Sequence, residues 1–244
     1  INTEIGISQT ILERLRPQHH IFVAEMGAYE RGEIKRSCLI ARPKIGVLTG
    51  LNEQHAALFG GLDKTFQAKY ELVTALPADG LLVVNGECSE LVSRLQQAPC
   101  RMIGCFLDEE KKMPLAHEAA VAKNIRVHRD FLQFSYHEVP YSVPLIGRFQ
   151  IINVLMAIVV AEHLGMKRDQ IVKAVSKLAP PEKTMVLKNM SRGFVIDDSY
   201  NVNPTGLRSA LLHLQHFDEH QKVIFFPGIL ELGDHSTAVH EELG

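Results

Sequence analysis

Short apolar runs alternate with segments of helical periodicity along most of this chain, and that alternation restricts its fold more than any other feature. Four runs predict strands: His20–Ala24, Ile45–Thr49, Leu81–Asn85 and Met102–Phe106. The segments Leu62–Leu76 and Ser89–Gln97 between them predict helices. Strands separated by helices are typical of a mostly parallel sheet with helices on its faces, so we expect an α/β fold.

The pattern changes after the fourth strand. Asn124–Tyr141 is more polar and alternates as antiparallel strands do, which predicts a hairpin at a sheet edge. Gln150–Leu164 and Arg168–Leu178 predict two helices joined at Gly165, and the sequence Ala-Pro-Pro that follows breaks the helical pattern. We therefore expect a domain boundary there, with residues 1–180 in the first domain and 181–244 in a second.

The second part begins another α/β pattern. Phe194–Ile196 predicts a strand that leads into DDSYNVNP, Pro204 opens a helix, and Val223–Phe226 predicts a further strand. We expect the start of a Rossmann-like α/β domain that is not completed. The first and last residues, INTEIG and HEELG, are those of a chain cut at both ends, so we expect a fragment.

Composition excludes several classes of partner. The 244 residues carry a formal net charge of −2, with acidic and basic residues interspersed, so we expect no nucleic-acid or membrane partner. The four cysteines form no CxxC pair, which predicts reduced thiols in a cytoplasmic protein. We expect small-molecule substrates and a monomer.

Polar side chains follow two of the predicted strands, where open α/β sheets bind ligands. Glu25 ends the first strand in AEMGA, and Gly27 would let a backbone or a ligand come close. His55 follows the second strand, and Lys69 lies on the next helix. A carboxylate and an imidazole at adjacent strand ends can share Mg²⁺. The alternative is a surface acid, a loop-capping histidine and an ordinary helix lysine.

Several motifs in order resemble the Mur ligase family: AEMGAYERGEI, LTGLNEQHAALFGGLDKTFQAKYEL, LLVVN, VIDDSYNVNP and ELG with a downstream histidine. The resemblance covers nearly the whole chain and implies a P-loop-type central domain followed by the start of the C-terminal domain. It implies a ligase that uses ATP and Mg²⁺ to form an amide bond through an acyl phosphate. The implied substrates are a UDP-MurNAc-tripeptide and D-Ala-D-Ala.

The resemblance also implies residue roles. Glu25 and His55 would be magnesium ligands, and Lys69 would react with CO₂ to give a carbamate, so that a cation becomes an anion able to approach the metal. Burial would favour this reaction, because the amine must first lose its proton.

Nucleotide and substrate contacts follow from the same resemblance. Asp198 would contact the ribose, with Asp197 and Asn201 beside it, although a helix cap and an Asx turn also explain DDSYNVNP. The remaining ATP-binding residues implied are Gln150, Asn153 and Lys183. Asn2 and Thr3 match a region near the substrate.

The chain also departs from the family. Gly147, Arg148, Phe149 and Gln150 stand where a Gly-x-His-Asn run is usual, Lys183 replaces an arginine, and PGILELG lacks the Gly-Asp-Met opening. The sequence has no Gly-x-x-Gly-Lys-Thr/Ser phosphate loop, so we expect the fragment to be inactive by itself.

Two alternatives to this assignment remain. One is a relative that ligates another amino acid, such as a folylpolyglutamate or cyanophycin ligase, and the other is a non-catalytic homologue that binds a nucleotide or a partner protein.

His213, His216 and His220 have a helical spacing that suggests a metal site. We expect a solvated helix face there instead.

Overall fold

The computed structural model describes residues 2–28, 30–51, 61–107, 111, 113–200, 204–218, 221–226, 228–229, 237 and 241. They divide into two compact units. The first contains Ile1–Gly104 and Met113–Glu118, and the second contains Cys105–Lys112 and Ala119–Gly244. The boundary predicted at residues 179–181 lies inside the second unit, and it stays a prediction.

Helices and parallel strands alternate through the first part of the chain, as predicted. In chain order the elements are α1 (Glu4–Arg14), α2 (Glu33–Ala41), β1 (Ile45–Leu48), α3 (Leu62–Ala75), β2 (Leu81–Asn85), α4 (Ser89–Val92), β3 (Arg101–Phe106) and β4 (Glu118–Val121). The four strands form one sheet in the order β1-β2-β3-β4. The prediction of an α/β fold with a parallel sheet is confirmed.

The strand β2 is the centre of the core in the first unit. Leu81, Leu82, Val83 and Val84 are fully buried, and they pair in parallel with Ile45 to Leu48 of β1. A strand that is apolar on both faces needs cover on both, which the helices of an α/β fold provide. The carboxyl ends of β1 and β2 therefore lie side by side.

The bounded elements in the described part of the second unit are the strands of two antiparallel sheets and several helices. Its strands are β5 (Lys123–Val127), β6 (Leu132–Tyr136), β7 (Val139–Val143), β8 (Val186–Met190) and β9 (Gly193–Asp197). Its helices are α5 (Gln150–His163), α6 (Arg168–Val175), α7 (Pro204–His213) and the 3₁₀ helix Leu214–His216. The predicted hairpin over residues 124–141 is part of a separate three-stranded sheet, β5-β6-β7, and not an edge of the parallel sheet.

The helix α5 is apolar nearly all round, and seven of its fourteen residues are buried. A helix of that kind belongs in a core rather than on a surface. Gly165 follows it with φ of 81°, a left-handed conformation that glycine adopts without strain, and the chain then turns into α6. The first predicted helix thus matches closely, and the second ends at Val175.

Two predicted strands are wrong. Neither the segment 20–24 nor the segment 223–226 is a strand in the structure. An apolar run becomes a strand only where a neighbour pairs its backbone. In both segments apolar side chains remain exposed, including Val23 at 87% and Phe225 at 100%. Where the start of an incomplete Rossmann-like domain was expected, the described residues show the two-stranded sheet β8-β9 followed by α7.

None of the helices described is both long enough and apolar enough to cross a bilayer.

Candidate active site

Asn85, the last residue of β2, ties the carboxyl ends of the two central strands together. Its Nδ2 donates a hydrogen bond to the carbonyl of Thr49, directly after β1, at 2.8 Å. Its Oδ1 accepts from the backbone N–H of Glu87 at 2.9 Å. Ligands of open α/β sheets bind beyond such strand ends, so this bridge fixes the backbone where a site is expected.

Cys88 strengthens the same junction. Its Sγ lies 3.3 Å from both the backbone nitrogen and the carbonyl oxygen of Leu51. The thiol can therefore accept one hydrogen bond and donate another to a single residue after β1. The sequence indicated only an ordinary reduced thiol, and the one available signal was the position of Cys88 shortly after a buried strand.

Lys69 lies on α3, half-buried, and within electrostatic reach of Cys88. Burial lowers the pKa of its ammonium from the ordinary value, and the nearby Cys88 thiol partly opposes that change. Lys64, one turn earlier on the same helix, is exposed. Of these two lysines, Lys69 is thus the one whose surroundings favour the neutral amine that reaction with CO₂ requires.

Glu25 lies in the segment between α1 and α2, and its side chain is exposed. Two residues later, the N–H of Gly27 donates to the carbonyl of Asn2 at 3.0 Å. A Cβ at position 27 would lie 2.7 Å from Nδ2 of Asn2, so a larger residue there would require the Asn2 side chain to move. The structure thus brings the predicted substrate residue Asn2 to the segment that carries Glu25.

Thr3, the other predicted substrate residue, begins α1. Its hydroxyl accepts a hydrogen bond from the N–H of Gly6 at 3.2 Å, which is the bond of a helix N-cap. Its side chain therefore has a structural role in α1, whatever it contacts in a complex.

His55 and Asn201 lie outside the described residues. Within the described part of the chain, no three His, Cys, Asp or Glu side chains form a group that could hold a metal ion. The magnesium site inferred from Glu25, His55 and Lys69 therefore stays a prediction.

Two of the predicted nucleotide residues interact with each other at the start of α5. The Nδ2 of Asn153 donates to Oε1 of Gln150 at 3.2 Å, one helical turn apart. This pair leaves the amide nitrogen of Gln150 and the amide oxygen of Asn153 as the donor and acceptor for another polar group.

Asp197 and Asp198, at the end of β9, make bonds within their own region. Asp197 binds Lys188 of β8 at 2.6 Å and the hydroxyl of Ser199 at 2.7 Å, and these bonds lower its pKa to about 2. Oδ1 of Asp198 accepts from the N–H of Met185 at 3.0 Å, while burial raises the pKa of Asp198. One oxygen of Asp198 is therefore already in use.

Lys183, predicted to contact ATP, has an exposed side chain in the segment before β8. Its φ is 60° and that of Met185 is 47°, so two non-glycine residues of this segment adopt the left-handed conformation. The carbonyl of Lys183 accepts a hydrogen bond from the N–H of Tyr200 at 3.0 Å. The backbone of Lys183 is thus held beside the end of β9.

The predicted solvated face of α7 is wrong for His213, which is only 2% exposed, and right for His216. His213 Nε2 lies 3.0 Å from the carbonyl of Arg129, so that nitrogen carries the proton. The guanidinium of Arg129 stacks on Phe194, 4.5 Å from the ring centre. The hydrogen bond between His213 and Arg129 joins α7 to the β5–β6 turn and explains why His213 is buried. His220 lies outside the described residues.

A cavity of about 1160 Å³ lies between α2 and α3. Cationic side chains line it, and they are Arg31, Lys35, Arg42 and Lys44. The cavity contains none of the residues predicted for magnesium, nucleotide or substrate. A second cavity of about 330 Å³ lies beside β8 in the second unit.

Comparison with known families gives a match over residues 1–161 to the Mur ligase middle domain. The UDP-N-acetylmuramoyl-tripeptide--D-alanyl-D-alanine ligase of Escherichia coli K12 is 28% identical over 249 residues, covering 100% of this chain and 54% of the relative. The enzyme of the same name from Bacillus subtilis is 24% identical, covering 100% of this chain and 52% of the relative. The chain thus spans about half the length of these relatives.

Two solved structures superpose on nearly the whole of this chain. A MurF crystal structure from Acinetobacter baumannii superposes with a TM-score of 0.84 at 25% identity, over 99% of this chain and 52% of that one. MurF from Thermotoga maritima, crystallised with ADP, has a TM-score of 0.74 at 21% identity, over 96% and 53%.

Proposed function

The chain belongs to the Mur ligase family, and we propose that it forms part of an ATP-dependent ligase that joins D-Ala-D-Ala to a UDP-MurNAc-tripeptide. In this proposal ATP phosphorylates the terminal carboxylate of the peptide. The amine of the dipeptide then attacks the acyl phosphate, which releases phosphate and forms the amide. The observation that carries the proposal is the half-buried Lys69 beside the joined ends of β1 and β2 in a chain of this family.

Magnesium would be held by Glu25, His55 and the carbamate of Lys69, and it would offset the negative charge that builds up between phosphate and carboxylate. The surroundings of Lys69 fit this role, because burial lowers the pKa of its ammonium. Carbamylation requires a neutral amine, and the product is a carboxylate-like oxygen donor of the type that Mg²⁺ prefers.

We assign the nucleotide and peptide contacts to the positions of this chain that match the family's binding residues. ATP would be bound by Gln150, Asn153, Lys183, Asp197, Asp198 and Asn201, and the muramoyl peptide would lie near Asn2 and Thr3. The free amide groups of the Gln150 and Asn153 pair support an adenine contact without the usual histidine. Because one oxygen of Asp198 accepts from Met185, its other oxygen is the one we assign to the ribose.

The non-catalytic homologue remains the second candidate, and the replacement of the usual His-Asn by Phe149 and Gln150 favours it. A nucleotide-binding homologue would bind ATP without releasing phosphate when the dipeptide is added. The reaction itself therefore separates the two candidates.

The test is an assay of phosphate release that depends on ATP, muramoyl peptide and D-Ala-D-Ala, using the complete protein. We expect Glu25→Ala and Lys69→Ala each to lower kcat/KM by about 100-fold or more, since each removes charge stabilisation from the transition state. Lys64→Ala is the matched control, because Lys64 is exposed on the same helix, and its activity should match wild type. Removal of dissolved CO₂ and bicarbonate should lower the wild-type rate.

Full activity in both Glu25→Ala and Lys69→Ala would reject the metal assignment. ATP binding by wild type without any phosphate release would favour the non-catalytic homologue.

A further inference from the structure

The cavity of about 1160 Å³ between α2 and α3 has an excess of positive charge. Four cationic side chains line it, together with one carboxylate, that of Glu71 on α3. The two oxygens of Glu71 accept hydrogen bonds from the N–H groups of Gly32 at 2.7 Å and Lys35 at 3.0 Å. This carboxylate is thus bound to the backbone at the start of α2, and not to a cationic side chain of the lining.

The four cations lie at the two ends of α2. Arg31 and Lys35 are at its start, Arg42 is its C-cap residue, and Lys44 follows two residues later. Lys35 and Arg42 are seven positions apart, which is about 10 Å along a helix axis. The cavity therefore has positive groups at both ends instead of a single cluster.

These cations lack the acidic partners that other basic residues of the first unit have. Arg36, also on α2, pairs with Glu4 at 2.7 Å, and Arg94 pairs with Asp63 at 2.8 Å. None of the four lining cations forms an ion pair with another described residue. A concave surface lined by charge of one sign concentrates counter-ions, so the cavity favours an anionic ligand.

Apolar and aromatic side chains form much of the remaining lining. Leu39, which lies between the charged ends of α2, is 68% exposed. Phe66 and Tyr70 of α3 form a tilted aromatic pair with ring centres 5.3 Å apart, and the Tyr70 hydroxyl donates to the carbonyl of Gln97 at 3.3 Å. Small-molecule sites commonly combine apolar and aromatic walls with a few charged groups.

We propose that this cavity binds an elongated dianion, which has an apolar or aromatic body between two anionic head groups. The head groups, carboxylate or phosphate, would pair with Lys35 at one end and Arg42 at the other. The body would lie against Leu39, Phe66 and Tyr70, and it would bury the exposed leucine. The cavity contains none of the residues assigned to the ligase reaction, so this proposal does not depend on the proposed function.

The first test compares aromatic anions in ligand-observed NMR titrations of the complete protein. Biphenyl dicarboxylate should bind at least about threefold more tightly than biphenyl monocarboxylate, which can pair at only one end. It should also bind more tightly than terephthalate, whose two carboxylates are closer together, and added salt should weaken its binding. A biphenyl bisphosphonate identifies the head group: tighter binding than the dicarboxylate indicates phosphate, and weaker binding indicates carboxylate.

Charge variants test whether the dicarboxylate binds in the cavity. Lys35→Gln and Arg42→Gln should each raise its Kd by about three- to fivefold, because each removes one cation. The double variant should raise the Kd by about tenfold or more, since the two sites are separate. Arg36→Gln is the matched control: Arg36 lies on the same helix but pairs with Glu4 and does not line the cavity, so the Kd should stay unchanged.

A second pair of variants tests the apolar body of the ligand. Leu39→Ser should raise the Kd of the dicarboxylate by about threefold, because it removes apolar contact. Leu12→Ser changes a leucine of α1 that is also exposed but lies outside the cavity, and it should leave the Kd unchanged.

Three results would overturn the proposal. The first is no binding of any probe at millimolar concentration, and the second is equal affinity for the monocarboxylate and the dicarboxylate. The third is an unchanged Kd in the Lys35→Gln, Arg42→Gln double variant, which would place the probe elsewhere in the protein. None of these results bears on the phosphate-release assay, so failure of this proposal and failure of the proposed function are distinguishable.

Discussion

The residues predicted for magnesium and those predicted for the nucleotide lie in regions that are built in different ways. Around Lys69 the local backbone is fixed by β2, whose first four residues are fully buried and paired with β1. Around Asp197 and Asp198 the described residues form a sheet of two strands, and no residue of β8 or β9 is buried. A two-stranded sheet is marginally stable by itself in water. The polar groups near Lys69 are thus positioned by a buried core, whereas those near Asp197 are positioned by hydrogen bonds among themselves.

The largest expected effect comes from placing a charge in each sheet. Val83→Asp puts an unpaired carboxylate in the buried strand β2, and we expect a loss of at least about 4 kcal/mol of unfolding free energy. Val195→Asp in β9 changes a side chain that is 43% exposed, and we expect a change within about 0.5 kcal/mol. Urea unfolding followed by circular dichroism measures both.

A comparable loss in both variants would remove the distinction between the regions. If Val83→Asp is not obtained in folded form, Val83→Ala should still cost about 1.5–3 kcal/mol, because it removes most of a buried side chain.

A smaller effect is expected from replacing an asparagine in each region, Asn85 at the end of β2 and Asn189 within β8. Asn85→Ala removes the bonds to Thr49 and Glu87, and we expect a loss of about 1–2 kcal/mol, since the partners are left without their bonds. Asn189 of β8 is exposed, so Asn189→Ala should change the stability by less than about 0.5 kcal/mol. Thermal unfolding of both variants under one buffer condition gives the difference, and equal losses would contradict it.

The smallest effect is a dependence on pH in the β8–β9 region. The folded pKa of Asp197, about 2, lies below the unfolded value of about 3.9, so the ionised form stabilises the fold. That contribution is complete above about pH 4 and is lost as the pH falls towards 2. Lys188→Ala should raise the pKa of Asp197 in a carbon-detected NMR titration and cost about 0.2–1 kcal/mol at neutral pH. An unchanged Asp197 titration in this variant would show that Lys188 is not the cause.

The same contrast explains how much of the fold could be predicted from the sequence. The runs that became β2 and β3 are apolar because both faces of a parallel strand are covered, so each run marks a strand directly. The runs at 20–24 and 223–226 are also apolar, but they carry exposed side chains and neither is a strand in the structure. Composition describes the side chains of a segment, whereas pairing depends on which other segment lies beside it.

The candidate site could be predicted only in part for a similar reason. Glu25, Lys69 and Asn2 could be selected by position and by resemblance, and Gly27 indicated the close approach of another backbone segment that the structure shows at Asn2. Glu71, Asn85 and Cys88 form hydrogen bonds with backbone groups 36 to 39 residues away in the chain. The sequence contains no local pattern for such contacts, and the burial of His213 against Arg129 was missed for the same reason.

Cys88 has a practical consequence for experiments in solution. The other three cysteines are buried, and burial raises the pKa of their thiols, to about 11 for Cys38 and about 12 for Cys105. Because the thiolate is the form that reacts with maleimides, the half-buried Cys88 should be labelled first in the native protein. A fluorophore attached there, without any engineered cysteine, would report on changes next to Lys69 as ligands are added.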